Sequence, residues 1–354
     1  MFRSISIATL SIFLLFGSIP VTAADQGSGN FRNRIAYLQN GDIYTADLNG
    51  SNIEKITGTG GQIAEFTFSP DLKYLAYTRV AGMVESPGYY EDDEEIPQTE
   101  IYSIVFVDLT TLDTIAQIEP EGEWLNPVRW TSAHKLLYYW SSGYDVSRFF
   151  EYDIASRTKV ELDYMLGTRL MEAGISSGGR LVAYIDDIGL GKTFEQRLHL
   201  SNAETGEDRI IANARWLFDP CFSTDDEFIA FLTVETVDSQ SIDNLMLYSL
   251  ADGSPAKLAS LPAKPKSGCR VQWSPGDSCI GIFYMPGYPP NGYVLARDNP
   301  VDIHEISGNE FCWLTDNRLL LSRGEGIFIY DMSTREISLL VENASRPAYL
   351  LGGN

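Results

Sequence analysis

The chain has 354 residues and a formal net charge of −22 at neutral pH, from 48 acidic and 26 basic side chains. A surface this acidic repels the phosphates of nucleic acids and the headgroups of anionic lipids, so neither is an expected partner. The four cysteines form no C-x-x-C pair, which argues against a redox centre or a structural zinc site.

The first 24 residues have the three parts of a secretory signal peptide. Arg3 supplies a positive charge, residues 5–19 are mostly apolar, and residues 21–24 (VTAA) offer small side chains for cleavage. A retained membrane anchor is the alternative, but the apolar run is short and no cysteine follows it to carry a lipid. We therefore predict export to the periplasm or the outside, with a mature chain of residues 25–354 that does not insert into a membrane.

From residue 34 onward a weak repeat runs through the chain. A short apolar strand with a small or aromatic centre occurs seven times, at 35–37, 75–77, 137–139, 182–184, 229–231, 280–282 and 319–321. The centres are 39 to 62 residues apart, which suits a four-stranded unit of about 40–45 residues with insertions. A hairpin rich in turn-forming residues follows each copy, as in IYTADLNGSNIEKIT at 43–57.

A further strand ending in a turn precedes six of the seven copies, as in FTFSPD at 66–71 and VQWSPGD at 271–277. The first copy lacks this strand, but the C-terminal PAYLLGGN aligns with AEFTFSPD and supplies it. We therefore predict an all-β, seven-bladed β-propeller over residues 25–354, closed by pairing a C-terminal inner strand with three N-terminal strands. A six-bladed ring is the alternative, and it requires one of three parallel strand counts to be discarded.

Two smaller features complete the strand pattern. Four aspartates occupy a similar point in the hairpins, where their side chains are expected to bond local backbone donors: Asp47, Asp108, Asp153 and Asp331. The cysteines, Cys221, Cys269, Cys279 and Cys312, lie in or beside apolar strands of an exported chain. Disulfides and buried free thiols are therefore equally good interpretations.

The motifs FSPDLKYLAYTR at 68–79 and WSPGDSCIGIFY at 273–284 resemble the xWSPDGxxIAF signature of TolB-type, WD40-like (PD40) β-propeller repeats. The resemblance covers nearly all of the mature chain and implies a propeller in an envelope or extracellular setting. Such propellers act as protein-binding platforms or stand in front of prolyl-oligopeptidase-type hydrolases. We expect a lone propeller, since the sequence offers no room for a hydrolase domain, and the blade-shaping signature residues carry over no catalytic role.

Three motifs with catalytic or cofactor associations are better explained by structure. Ser176 in GISSG (174–178) is expected at a strand-to-strand turn, whereas a nucleophile elbow needs a strand-to-helix turn. GLGKT at 189–193 lacks the first glycine of a phosphate loop, because Asp186 stands there. His134, His199 and His304 fall on different strand types, which argues against a shared metal site.

The larger insertions, at 80–100, 141–147, 186–195, 234–243 and 285–292, all connect the second predicted strand of a blade to its third. In a propeller these connections emerge on one face, here named the insertion-bearing face. The candidate binding residues on it are Tyr89, Tyr90, Asp92, Asp93, Glu94, Glu95, Tyr144, Asp187, Asp238 and Tyr288. The acidic stretch 89–100 (YYEDDEEIPQTE) raises the option of calcium but lacks EF-hand spacing, so no cofactor is predicted.

The leading hypothesis is an exported, non-catalytic, monomeric propeller that binds a protein or peptide of the envelope or extracellular space through this face. The alternative is a propeller enzyme, a polysaccharide lyase or hydrolase, with a carboxylate site at the central channel. Paired carboxylates about 5–10 Å apart in the channel would favour the enzyme. An apolar or plugged channel would favour binding.

Overall fold

The structure, a computed structural model, describes residues 31–60, 62–85, 98–120, 124–141, 147–162, 173–177, 180–188, 194–202, 204–237, 240–262, 269–284, 292–308, 310–324 and 326–350. The regular elements of this part of the chain are all strands. The first fourteen are β1 (Arg34–Gln39), β2 (Asp42–Asp47), β3 (Glu54–Lys55), β4 (Ile63–Phe68), β5 (Tyr74–Glu85), β6 (Gln98–Asp108), β7 (Thr114–Ile118), β8 (Trp124–Ser132), β9 (Lys135–Ser141), β10 (Ser147–Asp153), β11 (Thr158–Leu162), β12 (Gly174–Ile175), β13 (Leu181–Ile188) and β14 (Glu195–Asn202). The others are β15 (Asp208–Ala214), β16 (Leu217–Phe222), β17 (Phe228–Val237), β18 (Gln240–Ser249), β19 (Ser254–Pro262), β20 (Cys269–Trp273), β21 (Cys279–Tyr284), β22 (Gly292–Ala296), β23 (Ile303–Ile306), β24 (Glu310–Thr315), β25 (Arg318–Arg323), β26 (Gly326–Asp331), β27 (Glu336–Glu342) and β28 (Ser345–Leu350).

These strands form seven antiparallel, four-stranded sheets, which are the blades of a β-propeller. Blade 1 has the order β28-β1-β2-β3, and blades 2 to 7 each take four consecutive strands, from β4–β7 to β24–β27. The predicted closure is confirmed, because β28 pairs with β1 and sets Ala348 opposite Ala36. The first strands of neighbouring blades contact each other, for example β16 with β20 and β24 with β28. They therefore surround the central channel.

Burial explains why the sequence shows short apolar runs instead of strict alternation. Second and third strands are covered on both faces by the adjacent blades, and all six residues of β21 are buried. The fourth strand lies at the periphery, and most of β27 is exposed. The hydrophobic core is accordingly divided among blade interfaces; Tyr37 of blade 1, for instance, packs in one cluster with Leu320 of blade 7.

The hairpins follow the turn chemistry of the sequence. Asn40 and Gly41, at φ values of 52° and 70°, make the two-residue turn between β1 and β2. Asp108 accepts a hydrogen bond from the Thr110 amide at 2.7 Å, and the equivalent carboxylates of Asp153 and Asp331 also accept from backbone amides two residues later. The Asp47 carboxylate accepts from side chains, Ser51 and Asn52. The predicted bonding to local backbone donors is confirmed for Asp108, Asp153 and Asp331, whereas the donors at Asp47 are side chains.

A second set of aspartates joins one blade to the next. Asp277 of blade 6 is 5% exposed, and its Oδ1 accepts from the Thr224 amide of blade 5 at 2.7 Å. Asp226 accepts from the Ser177 amide of blade 4 at 2.8 Å, and Asp316 of blade 7 from the Gly276 amide at 2.8 Å. In blades 5, 6 and 7, the turn that follows the inner strand thus holds the preceding blade.

Cys221, Cys269, Cys279 and Cys312 are free thiols in this structure, and the last two are buried. Burial raises the pKa of Cys312 to about 12. Of the two interpretations left open by the sequence, the structure therefore has the free thiols. The described residues include no helix of the length and apolarity needed to cross a membrane.

Candidate functional site

The predicted insertions do connect second strands to third strands, as the sheet order confirms. Because all seven blades have the same strand direction, these connections share one face. Three of the insertions extend strands instead of forming loops throughout. The pairing of β5 with β6 continues to Glu85 opposite Gln98, that of β13 with β14 to Ile188 opposite Glu195, and that of β17 with β18 to Val237 opposite Gln240.

The longest extension, here named the projecting ribbon, comprises residues 80–85 and 98–102. β4, the inner neighbour of β5, pairs with β5 only as far as Arg79. β7, the outer neighbour of β6, pairs with β6 only from Ile104 onward. Within the described residues the ribbon is therefore two strands wide. Met83 on it is 54% exposed. Among the described strands none pairs with the ribbon's two outer edges beyond Val80, and a strand edge without a partner can accept an added strand.

Only one of the predicted binding residues lies in the described part of the chain. Asp187 on β13 is half-buried, and its Oδ1 accepts a hydrogen bond from Gln196 Nε2 at 2.9 Å. Gln196 Oε1 in turn accepts from the Leu217 amide of the next blade at 2.6 Å, so Asp187 supports a contact between blades. The other nine lie outside the described residues and stay predictions: Tyr89, Tyr90, Asp92, Asp93, Glu94, Glu95, Tyr144, Asp238 and Tyr288.

Five charged side chains that the sequence reasoning missed meet at the central channel. In each of five consecutive blades, one residue of the inner strand pairs with the central residue of the second strand. The residue two positions before it on the inner strand is charged. In blade order 5, 6, 7, 1, 2 these residues are Asp219, Arg270, Glu310, Arg346 and Glu65, here named the charged ring. Their charges alternate, and three carboxylates with two guanidinium groups give a formal charge of −1.

Arg346 bridges two carboxylates of the charged ring. Its Nη1 lies 3.8 Å from Glu65 Oε1 and its Nε 3.7 Å from Glu310 Oε1. The side chains of Glu65 and Glu310 are only 9% and 11% exposed. Asp219 accepts a hydrogen bond from the amide of Val271, next to Arg270. Each charge therefore has an opposite charge on a neighbouring blade, which buried ions require.

The surroundings change the proton affinities of the ring. Burial raises the pKa of Glu310, although the charges of Arg346 and Arg270 oppose the rise. Burial lowers the pKa of Arg270, and the charges of Asp219, Glu65 and Glu310 counter that effect. The five groups thus form one electrostatic unit at the end of the channel where the inner strands begin, on the insertion-bearing face.

The projecting ribbon approaches this end of the channel. Tyr102 on β6 donates a hydrogen bond to Glu100 Oε2 at 2.6 Å. Burial and this carboxylate raise the pKa of Tyr102, and the charges of Arg346 and Glu65 are close enough to affect it as well. Ribbon and charged ring therefore belong to one surface.

The motifs considered in the sequence have structural partners. Ser176 is 3% exposed, and its Oγ accepts from the Leu181 amide at 2.9 Å, which closes the strand-to-strand turn. His199 Nδ1 lies 2.8 Å from Asp208 Oδ2, and His304 Nδ1 lies 2.8 Å from Tyr330 Oη in another blade. In the described ranges no group of three or more His, Cys, Asp or Glu side chains could hold a metal ion. GLGKT at 189–193 lies outside those ranges.

A sequence signal for the charged ring existed. Each member is followed three residues later by an aromatic residue, as in EFTF, DPCF, RVQW, EFCW and RPAY. The aromatic residue lies at or near the end of the inner strand, and the charged residue stands three positions before it. A search for charged-x-x-aromatic at the blade period would have found the five positions.

No protein-family model and no curated protein matches the chain. Among solved structures it is similar to an uncharacterised protein from Listeria monocytogenes EGD-e, at 12% identity over 88% of this chain and 91% of that one, with a TM-score of 0.56. Oligogalacturonate lyase from Vibrio parahaemolyticus matches at 13% identity over 88% and 86%, with a TM-score of 0.52. TolB from Acinetobacter baumannii matches at 16% identity over 92% and 68%, with a TM-score of 0.49.

These identities show the fold alone. The chain is a seven-bladed β-propeller, which is the fold that the resemblance of its repeats implied. This class includes both binding proteins and enzymes, so the fold does not choose between the two functions considered.

Proposed function

We propose that the chain is an exported, non-catalytic propeller that binds a protein or peptide through its insertion-bearing face and acts as a monomer. The observation that carries the proposal is the clustering of the five longer connections on one face, with the projecting ribbon rising above it. A repeat protein whose insertions gather on one face commonly uses that face for recognition.

The ribbon supports a peptide partner in particular. An extended segment can add to an open strand edge through main-chain hydrogen bonds, and the side chains beside that edge then give specificity. The negative charge of the protein favours a basic partner, because complementary charge speeds encounter and suppresses like-charged competitors.

Photo-crosslinking tests the use of this face. Met83 on the ribbon and Ile53 on the opposite face are both 54% exposed, so they form a matched pair for a photo-reactive amino acid. In envelope extract of the source organism, we expect a discrete crosslinked protein from position 83 and none from position 53. That protein, purified, should bind the wild-type chain and bind less well to a chain with a shortened ribbon. Equal crosslinking at both positions, or none at either, would refute the platform.

The enzyme remains a second candidate because of one arrangement in the charged ring. Glu65 and Glu310 lie within 4 Å of the same guanidinium group, so two carboxyl groups converge, and the raised pKa of Glu310 suits a general acid. The test is release of new ends from a panel of polysaccharides by the wild type and by Glu310→Gln. Activity that is lost in a folded Glu310→Gln variant would replace the platform with a lyase or hydrolase.

A further inference from the structure

A pocket of about 290 Å³ lies between blades 2 and 3. Its lining includes Ile118 and Glu119 at the end of β7 and Leu125 at the start of β8. Trp140 near the end of β9 and Arg148 at the start of β10 also line it. Those strand ends are on the insertion-bearing face, so the pocket belongs to that face. All four strands of blade 3 contribute to its lining, and it includes none of the charged ring.

The base of the pocket is apolar and largely aromatic. Leu125, Tyr138 and Phe150 are 2%, 1% and 8% exposed, and the rings of Tyr138 and Phe150 stack with centroids 5.4 Å apart. Trp140 forms a partly exposed wall. A cavity of about 150 Å³ holds benzene, so this pocket has room for one ring with its substituents. Its volume is close to the lower limit of ligand pockets, about 300 Å³.

The rim carries two cations and two carboxylates. The Arg148 guanidinium lies 5.1 Å from the centre of the Trp140 ring, and Lys159 Nζ lies 4.8 Å from the centre of the Phe150 ring. Arg148 Nε is 3.8 Å from Glu161 Oε1, and Glu119 faces them from blade 2. The rim therefore has no net charge and combines groups that only donate hydrogen bonds with groups that only accept them.

We infer that this pocket binds a neutral, hydroxylated ring, that is, a single sugar unit. Hydroxyl groups both donate and accept, so they can bond the carboxylates and the cations together. The C–H faces of a sugar ring can bury against the apolar base. A ligand with a net charge gains from one pair of rim groups and is repelled by the other. This activity is separate from the proposed binding of a protein and does not depend on it.

Ligand-observed NMR with the purified protein tests the inference. The probes are methyl glucoside, methyl galactoside and N-acetylglucosamine, with galacturonate, glucosamine and L-phenylalanine as anionic, cationic and zwitterionic comparisons. Single sugars bind weakly, so probes are followed to about 10 mM. We expect at least one neutral probe to bind, and more tightly than every charged or zwitterionic one.

Three variants locate the site. Lys159→Gln and Glu161→Gln remove exposed rim charges, and each should weaken binding about tenfold. Ile118→Trp fills the pocket from blade 2 and should abolish binding. Lys257→Gln and Glu336→Gln, exposed positions on blades 5 and 7, should bind as the wild type does. Thermal unfolding confirms that each variant is folded.

Three results would overturn the inference. The first is no binding of any neutral probe to the wild type. The second is a charged or zwitterionic probe that binds more tightly than every neutral one. The third is undiminished binding to folded Ile118→Trp, which would place the sugar elsewhere on the protein.

Discussion

Replacing Arg346 with Met removes the cation of the charged ring that lies between Glu65 and Glu310 and leaves these two carboxylates without it. Both carboxylates are about nine-tenths buried, and both contact the Arg346 guanidinium within 4 Å. Removing one partner of a buried ion pair destabilises a protein by about 3–5 kcal/mol, because a charge stays buried without compensation. Such a loss is large against a typical total stability of about 5–15 kcal/mol.

The loss should depend on pH in a defined direction. Burial raises the pKa of Glu310 in the folded protein above its unfolded value of about 4.3, so the folded state holds this proton more tightly. Stability therefore falls as pH rises from the unfolded to the folded pKa. Arg346 opposes the rise, so its removal extends the window to higher pH. Urea unfolding of Arg346→Met should show a smaller loss near pH 4.5 than near pH 7.

The control is the triple variant Glu65→Gln, Glu310→Gln, Arg346→Met, which keeps the side-chain sizes and removes all three charges. It should recover most of the stability at neutral pH, because no buried charge is left alone. An Arg346→Met protein as stable as the wild type at pH 7 would contradict the description of the ring. So would a loss that does not change with pH.

Three further predictions concern the frame that carries the site. Asp277→Asn should lower the free energy of unfolding by about 1.5–3 kcal/mol, because the new amide cannot accept from both Thr224 and Asp225. The control Asp298→Asn, at an exposed position, should change the free energy of unfolding little. Equal effects of the two substitutions in urea unfolding would refute the link between blades. Gly281→Ala should lower the free energy of unfolding by about 1–3 kcal/mol, since the added carbon would meet Phe311 of the next blade at 2.7 Å. An unchanged midpoint of thermal unfolding would contradict that packing. Thiol titration should find four free cysteines in the denatured chain, with Cys279 and Cys312 reacting slowest in the folded protein; fewer than four would show a disulfide.

The blade pattern could be predicted from the sequence because it depends on local signals. Asn40-Gly41 turns and apolar triplets such as Leu75-Ala76-Tyr77 specify strands within a few residues of themselves. The charged ring depends instead on residues of five different blades reaching one level around an axis. That level is set only by how each inner strand pairs with the second strand of its blade. In blade 6, for example, Gln272 pairs with Gly281, and this pairing fixes the position of Arg270 two residues earlier.

The pocket was not predictable for a related reason. It is a gap between two sheets, and its size depends on how closely blades 2 and 3 approach at one end. The sequence correctly placed insertions on one face, but it did not show that three of them extend strands. The sequence places Asp277 in a turn but does not show what its carboxylate binds, since the Thr224 amide belongs to another blade.

The joining of β28 to β1 also has a consequence for biosynthesis. The ribosome makes β1 early and β28 more than three hundred residues later, so blade 1 has no inner strand until residues 345–350 have been made. Until then, the apolar edge of Ile35, Ala36 and Tyr37 is open and could pair with another chain. A nascent chain of this design therefore cannot complete its ring until its last strand has been made.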